Sequence, residues 1–203
     1  MDGTYIRKAT SEDVEAIISI HKQAFNDFFL TSLGDRFLKL YYSSFVSSDD
    51  GTVFCAVKDG VIVGFSACSY TSKGFNYSLI LKKPVEFGLE AFRLLIRMPK
   101  ALLRLVKNMK KESKEISIKD DGLYAELYSI AVSPEYQGMG IGKLLLEVTE
   151  WDVKNHNSRI SLTTDYYNND TTIAFYRALG YEEYYVFISY PNRRMWRMIK
   201  SLA

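Results

Sequence analysis

The stretch YQGMGIGKLLLE, residues 136–147, places Gly138, Gly140 and Gly142 at every second position and then runs into an apolar pattern of helical period. Glycine loses more conformational freedom on folding than any other residue. Three at a helix entrance therefore mark a point where another group approaches the main chain closely. Ahead of the loop, GLYAELYSIAV (122–132) reads as a strand rich in Tyr, Ile and Val. Strand, glycine loop and helix together expose backbone N–H groups at the positive end of a helix dipole, an arrangement that binds phosphate. Spacing excludes two familiar forms. A Walker loop needs Ser or Thr after its Lys and a glycine six positions before it, but Leu144 follows Lys143 and the sixth position before Lys143 is Gln137, with Gly138 one place too late. The dinucleotide fingerprint needs three residues from its second glycine to its third, and GMGIG offers two.

The rest of the chain supplies the frame. SEDVEAIISIHKQAF reads as a first helix with Ser11 as N-cap, acidic residues in the first turn, and Val14, Ile17, Ile18 and Ala24 at helical spacing. After a turn-like NDFFLTSLG, DRFLKLYYSSFV forms a second, with Phe37, Leu40, Tyr41 and Phe45 on one face. TVFCAVKDGVIVGFSACSY is a hairpin turning at Asp59-Gly60. Gly140–Lys154 is a helix, RISLTT a strand, and Asn169–Leu179 a helix closed by Gly180. YEEYYVFISY and RRMWRMIKSL are strands parted at Pro191-Asn192. With 203 residues, 47% hydrophobic, and no repeat or low-complexity linker, the chain reads as one α+β domain with a mixed, mostly antiparallel central sheet flanked by helices.

A helical segment is inserted at about residues 78–116. Between Arg93 and Lys114 eight basic residues face the single Glu112, a local charge of +7 in a chain of net +2. Arg93, Arg97, Lys100, Arg104, Lys107, Lys111 and Lys114 recur every three or four residues, opposite Phe92, Leu95, Leu102, Val106 and Met109. The segment reads as a basic amphipathic helix, or a pair divided at Pro99. Three roles stay open: a helix packed on the domain with a solvated basic face, an interfacial helix over 84–114 on anionic lipid, or a lid or dimer contact. No aromatic residues interleave the basic face, so nucleic acid is not expected as a partner. Monomer and homodimer are both compatible with the sequence.

Cys55 and Cys68 lie in strand-like runs without the histidine clustering of a zinc site, so buried free thiols and no metal are expected. No run approaches the roughly 18 apolar residues of a membrane span, and MDGTYIRKATSEDVE lacks an apolar signal core. The expected location is cytoplasmic, with peripheral membrane contact as the variant.

IAVSPEYQGMGIG, with Gln137, Gly140 and Gly142, and NDTTIAFYRALGY, with Asn169, Phe175, Tyr176 and Gly180, together resemble the two motifs of the GNAT superfamily of acyl-CoA-dependent N-acetyltransferases. The resemblance covers 122–187, and the preceding helices and strands fit in order apart from the insertion between the third and fourth strands. It implies the family's three-layer fold and acetyl-CoA as co-substrate. The pyrophosphate would lie on Gln137, Gly138, Met139, Gly140, Ile141, Gly142 and Lys143, and the pantetheine arm on Ile130, Ala131 and Val132 of a strand splayed from its neighbour. Asn169 and Tyr176 would complete the cofactor site.

The implied reaction is direct attack of an amine on the thioester in a ternary complex. Glu126, on the strand entering the loop, is the candidate base, with a water relay as the alternative, and Tyr176 is the candidate acid. The acceptor would enter beside NDFFLTSLG, where Asp27 attracts an amine and Phe28 and Phe29 form a wall, with Tyr128 and the tyrosines at 124, 166, 167, 184 and 185 lining the same cleft. An amino sugar, free or nucleotide-linked, is preferred. Peptide or polyamine acceptors and a non-catalytic acyl-CoA scaffold are the alternatives. His21 and His156 read as structural or surface residues, and Arg193, Arg194 and Arg197 as a solvated edge strand, with contact to an anionic substrate as the alternative.

Overall fold

The computed structural model describes residues 3–109 and 120–202. Among these residues seven strands, β1 (Thr4–Lys8), β2 (Gly51–Lys58), β3 (Val61–Ser69), β4 (Ala125–Val132), β5 (Arg159–Asp165), β6 (Glu182–Ser189) and β7 (Arg193–Ser201), form one sheet. Their spatial order is β1-β2-β3-β4-β5-β7-β6. Every neighbouring pair is antiparallel except β4 and β5, which run parallel. The β2–β3 turn is the two-residue Asp59-Gly60, with φ of 50° and 79°. Such a turn matches the natural twist of a hairpin.

The helices are α1 (Val14–Ala24), α2 (Phe29–Ser32), α3 (Asp35–Val46), α4 (Phe75–Lys82), α5 (Pro84–Arg97), α6 (Pro99–Met109), α7 (Ile141–Val153) and α8 (Asp170–Ala178). A 3₁₀ turn, Ser11–Asp13, leads into α1, and its N-cap is Thr10, one residue before the expected Ser11. Asp13 decides this: its carboxylate accepts from the Thr10 N–H (2.7 Å) and from both terminal nitrogens of Arg7 (2.6 and 2.8 Å). The Arg7 hydrogen bonds hold Asp13 down at a pKa of about 2.

Alternation along β2 and β3 divides the core between the two faces of the sheet. Ile17 of α1 and Leu38 and Phe45 of α3 pack with Val53, Cys55 and Phe65 on one face. Ile141 and Leu145 of α7 pack with Phe54, Ala56 and Val63 on the other. Ile173 and Tyr176 of α8 join Leu127, Ile160 and Leu162 in a further cluster. Both cysteines are buried free thiols, and burial pushes Cys55 up to about 12.

The insertion is a set of helices, α4 to α6, that extends the α1–α3 layer and sends Phe75, Leu79 and Leu94 into its core. Residues 110–116 of the expected segment, with Lys111 and Lys114, lie outside the described residues. The orientation of α5 differs from expectation. Its buried residues are Glu90 and Leu94, while Phe92 and Leu95 are exposed and Arg93 turns back to donate to Glu90. The apolar stripe, not a basic face, therefore meets solvent, because Leu94 and the partly buried Phe87 already fill the space beneath the helix. A second correction concerns β7. It lies between β5 and β6 instead of at an edge, so Arg197 is buried at 2% exposure. Among the described residues no helix is long and apolar enough to cross a membrane.

Candidate active site

β4 and β5 pair only over Ala125–Leu127 and Ile160–Leu162, although β4 runs on to Val132 and β5 to Asp165. Beyond Leu127 the two strands part. The cause is local: Ala67 of β3 pairs with Ser129 and Cys68 with Leu127, leaving Tyr128 as an extra residue in β4. A bulge bends its strand and increases local twist. It also turns Tyr128 and Ser129 toward the same layer. Tyr128 packs on Phe45 and Phe75, and the Tyr42 hydroxyl sits between Ser129 Oγ (3.2 Å) and His21 Nδ1 (2.7 Å). His21 is buried, and burial lowers it to about 4.

The opening between the strands ends at the glycine loop. Gly138 and Gly140 take φ of 77° and 79°, which few other residues adopt, and Gly140 caps α7. The first bond of the α7 ladder runs from the Leu144 N–H to the Gly140 carbonyl (3.1 Å), so the N–H groups of Ile141, Gly142 and Lys143 precede it. The Gln137 amide donates to the Val132 carbonyl (3.1 Å), tying the loop to β4. A Cβ on Gly142 would meet only Val132 Cγ2, at 3.8 Å. Met139 is half exposed, and the Lys143 ammonium stands 3.7 Å from Glu147. The assembly offers several main-chain donors and a helix N-terminus to an anion beside a parted strand whose β5-facing edge, from Tyr128 to Val132, has no strand partner among the described residues.

On the β5 side, the Asn169 side chain donates to the Thr164 hydroxyl and the Asp165 carbonyl, joining β5 to the start of α8. About two helical turns further on, Tyr176 is buried against Phe175 and Tyr181, and burial pushes its phenol up to about 12. Tyr176 therefore carries its proton at neutral pH.

Glu126 lies in β4 two residues before the bulge and is buried. Its Oε1 accepts from Arg197 Nη1 at 2.6 Å and its Oε2 from the Ser72 hydroxyl. Arg197 also donates to Ser161 (3.3 Å) and lies over the rings of Tyr124 and Phe187. Burial would lower the Arg197 pKa, but the Glu126 charge reverses this and raises it. Tyr124 and Tyr185 both donate to Asp120. Tyr166 belongs to the other face, stacked on Trp196 with its neighbour Tyr167 against it, so the tyrosines do not share one cleft.

At the far end, α2, α6 and the β6–β7 hairpin converge. Arg104 stacks on Phe29 (4.3 Å) and Arg193 on Phe28 (4.6 Å). Arg193 pairs with Asp165, whereas Arg104 has no carboxylate partner among the described residues and its Nε is buried without an acceptor. Burial and the neighbouring Arg193 charge lower Arg104 from its ordinary value. Asn108 closes the group, accepting from the Tyr190 N–H (2.9 Å) and Ser189 hydroxyl (3.3 Å). Asp27 and Phe28 are exposed. The inserted helix thus reaches both sides of the expected acceptor entrance. Arg104 read in the sequence only as one more cation of a patterned helix, and Arg197, offered there as a contact for an anionic substrate on an edge strand, is instead the buried partner of Glu126.

Residues 99–181 match the model of the acetyltransferase (GNAT) family. The fold is similar to the ribosomal-protein-S18-alanine N-acetyltransferase from Escherichia coli, at a TM-score of 0.62 and 17% identity over 98% of this chain and 94% of that one. An N-acetyltransferase from Staphylococcus aureus Mu50 gives a TM-score of 0.63 and 13% identity over 98% and 99%. The ribosomal-protein-alanine N-acetyltransferase from Brucella melitensis gives 0.61 and 18% over 97% and 99%. Comparison with curated proteins gives no match. The family match runs through β4, the glycine loop and α8, the same residues that build the parted-strand site, so the part of the chain that holds the site is similar to the acetyltransferase (GNAT) family.

Proposed function

We propose that this chain transfers an acetyl group from acetyl-CoA to the primary amine of a small acceptor that carries an anionic group, such as a nucleotide-linked amino sugar. The observation that carries the reading is the opening between β4 and β5, closed at one end by the donors of the loop and α7. These residues fit the cofactor: the turns at Gly138 and Gly140 present main-chain donors for a pyrophosphate, and Ile130, Ala131 and Val132 offer their β5-facing strand edge to the pantetheine arm. Lys143 adds positive charge, and Asn169 fixes the opposite wall. Bound there, acetyl-CoA supplies an activated acetyl thioester.

The chain's own residues then handle protons. Tyr176, protonated at neutral pH, donates to the departing sulfur. Glu126 is the base for the acceptor ammonium, reached through the Ser72 hydroxyl that already donates to it, and Arg197 fixes its position.

Acceptor chemistry follows from charge. Arg104 and Arg193 stand beside Phe28 and Phe29, and Lys107 lies over Tyr190, so the entrance is cationic and opposes a polyamine. Asp27 and Tyr128 stay in the reading as the amine-side contacts. The test is turnover with acetyl-CoA against glucosamine, a uridine-diphosphate-linked amino sugar, spermidine and an alanine-terminated peptide. The phosphate-bearing sugar should give the highest kcat/KM, reduced about tenfold or more by Arg104→Gln, the loss of one charge-assisted contact. Preference for spermidine or the peptide would contradict the acceptor assignment.

A further inference from the structure

Val85, Leu89, Phe92 and Ile96 recur at i, i+4, i+7 and i+11 along α5, so they form one stripe. Each is between 63% and 68% exposed. The stripe lies opposite the buried Glu90 and Leu94, and Leu95 on the same helix and Leu81 near the end of α4 are exposed as well. Soluble monomers rarely expose contiguous apolar surface beyond a few hundred Å². Neither the cofactor site nor the acceptor entrance uses any of these side chains.

Charge indicates what covers the stripe. Lys83 precedes α5, and Arg97 and Lys100 follow the stripe at its other end. None of the three has a carboxylate partner among the described residues. Glu86 is the exposed acid of the helix. A helix with an apolar face between cations is built to lie in the plane of an anionic bilayer, side chains in the acyl boundary and cations among the headgroups. A second copy seated on the same stripe would set these cations against their own counterparts, where like charges repel.

We propose that α5 docks this protein on anionic membrane surfaces through Val85, Leu89, Phe92 and Ile96, with Lys83, Arg97 and Lys100 contacting lipid phosphates. The helix that follows, α6, contributes Arg104 and Asn108 to the acceptor entrance, so docking sets that entrance near the bilayer. Surface docking is independent of acetyl transfer, and its test reads no turnover.

The experiment is co-sedimentation of the full chain with vesicles of phosphatidylcholine alone or mixed with phosphatidylglycerol, at low and high salt, beside sedimentation velocity without lipid. Binding to the anionic vesicles should weaken with salt and be lost in the Leu89→Glu/Phe92→Glu variant, whose altered side chains are exposed and leave the fold intact by circular dichroism. Arg97→Glu/Lys100→Glu should weaken anionic binding by at least about fivefold per cation. Absence of vesicle binding, or equal binding by the Leu89→Glu/Phe92→Glu variant, would overturn the proposal. Dimerisation without vesicle binding, abolished by the same variant, would assign the stripe to a second copy instead.

Discussion

Arg197 Nη1 lies 2.6 Å from Glu126 Oε1, and the two residues, on β7 and β4, are both almost fully buried. The pair spans β5, which runs between those strands and supplies Ser161 as a further acceptor for the guanidinium. It therefore cross-braces the sheet just where the β4–β5 ladder ends. Removing one partner leaves a buried charge alone, which typically costs about 3–5 kcal/mol. Arg197→Met should lower the unfolding free energy in urea by about that amount, and Glu126→Gln added to it should recover part of the loss. If Glu126 is also the base, Glu126→Gln alone abolishes the acidic limb of the kcat/KM profile; an unchanged profile leaves it a purely structural residue.

Tyr176→Phe removes one phenolic oxygen from a side chain whose ring remains packed on Phe175 and Tyr181. Turnover should fall by roughly 10²-fold or more, the usual scale for a general acid. Affinity for acetyl-CoA, read by titration, should stay within about twofold, since the change removes a proton donor and no main-chain contact. Equal turnover in the variant would remove Tyr176 from the mechanism.

The two glycines at the mouth of α7 should respond in opposite ways. Gly140→Ala forces a side chain into the left-handed region, at about 1–2 kcal/mol, and displaces the loop donors, so acetyl-CoA binding should weaken about tenfold. Gly142 is already helical with room for a methyl group. Gly142→Ala should raise stability by up to about 1 kcal/mol and leave binding within a few fold. Thermal melts and titration of both variants check the contrast.

His21 supplies a pH test of the fold. Its folded value of about 4 lies below the ordinary imidazole value of about 6.5, because burial disfavours the charged form. Between these values the unfolded chain binds the proton and the folded chain does not, so stability rises with pH across that window. The contribution is full above the unfolded value and is lost as pH falls through the window, levelling below about 4, with a ceiling of about 3 kcal/mol. His21→Gln should flatten that part of the urea-denaturation profile relative to the native chain.

The glycine loop, the hairpin at Asp59-Gly60 and the helices with a clear apolar period are local features, and their sequence patterns correspond to the structure. β1 escaped residue-level reading because five residues, TYIRK, alternate too weakly to stand out from a loop. β7 read as an edge because chain order places it last, yet pairing inserts it between β5 and β6. The Glu126–Arg197 pair joins residues 71 positions apart, a separation that no local pattern encodes. On α5 the period showed that two faces exist but not which turns inward. The fit of Leu94 and Glu90 against the core decided that, and with it the outward stripe.

Isothermal titration with acetyl-CoA, with ATP and NAD as controls, tests the central claim most directly. The parted strands and the loop donors predict selective micromolar binding, on the order of −8 kcal/mol, weakened in Gly140→Ala and absent for both controls. No heat with acetyl-CoA, or equal binding of ATP, would contradict the assignment of this site to an acyl-CoA thioester.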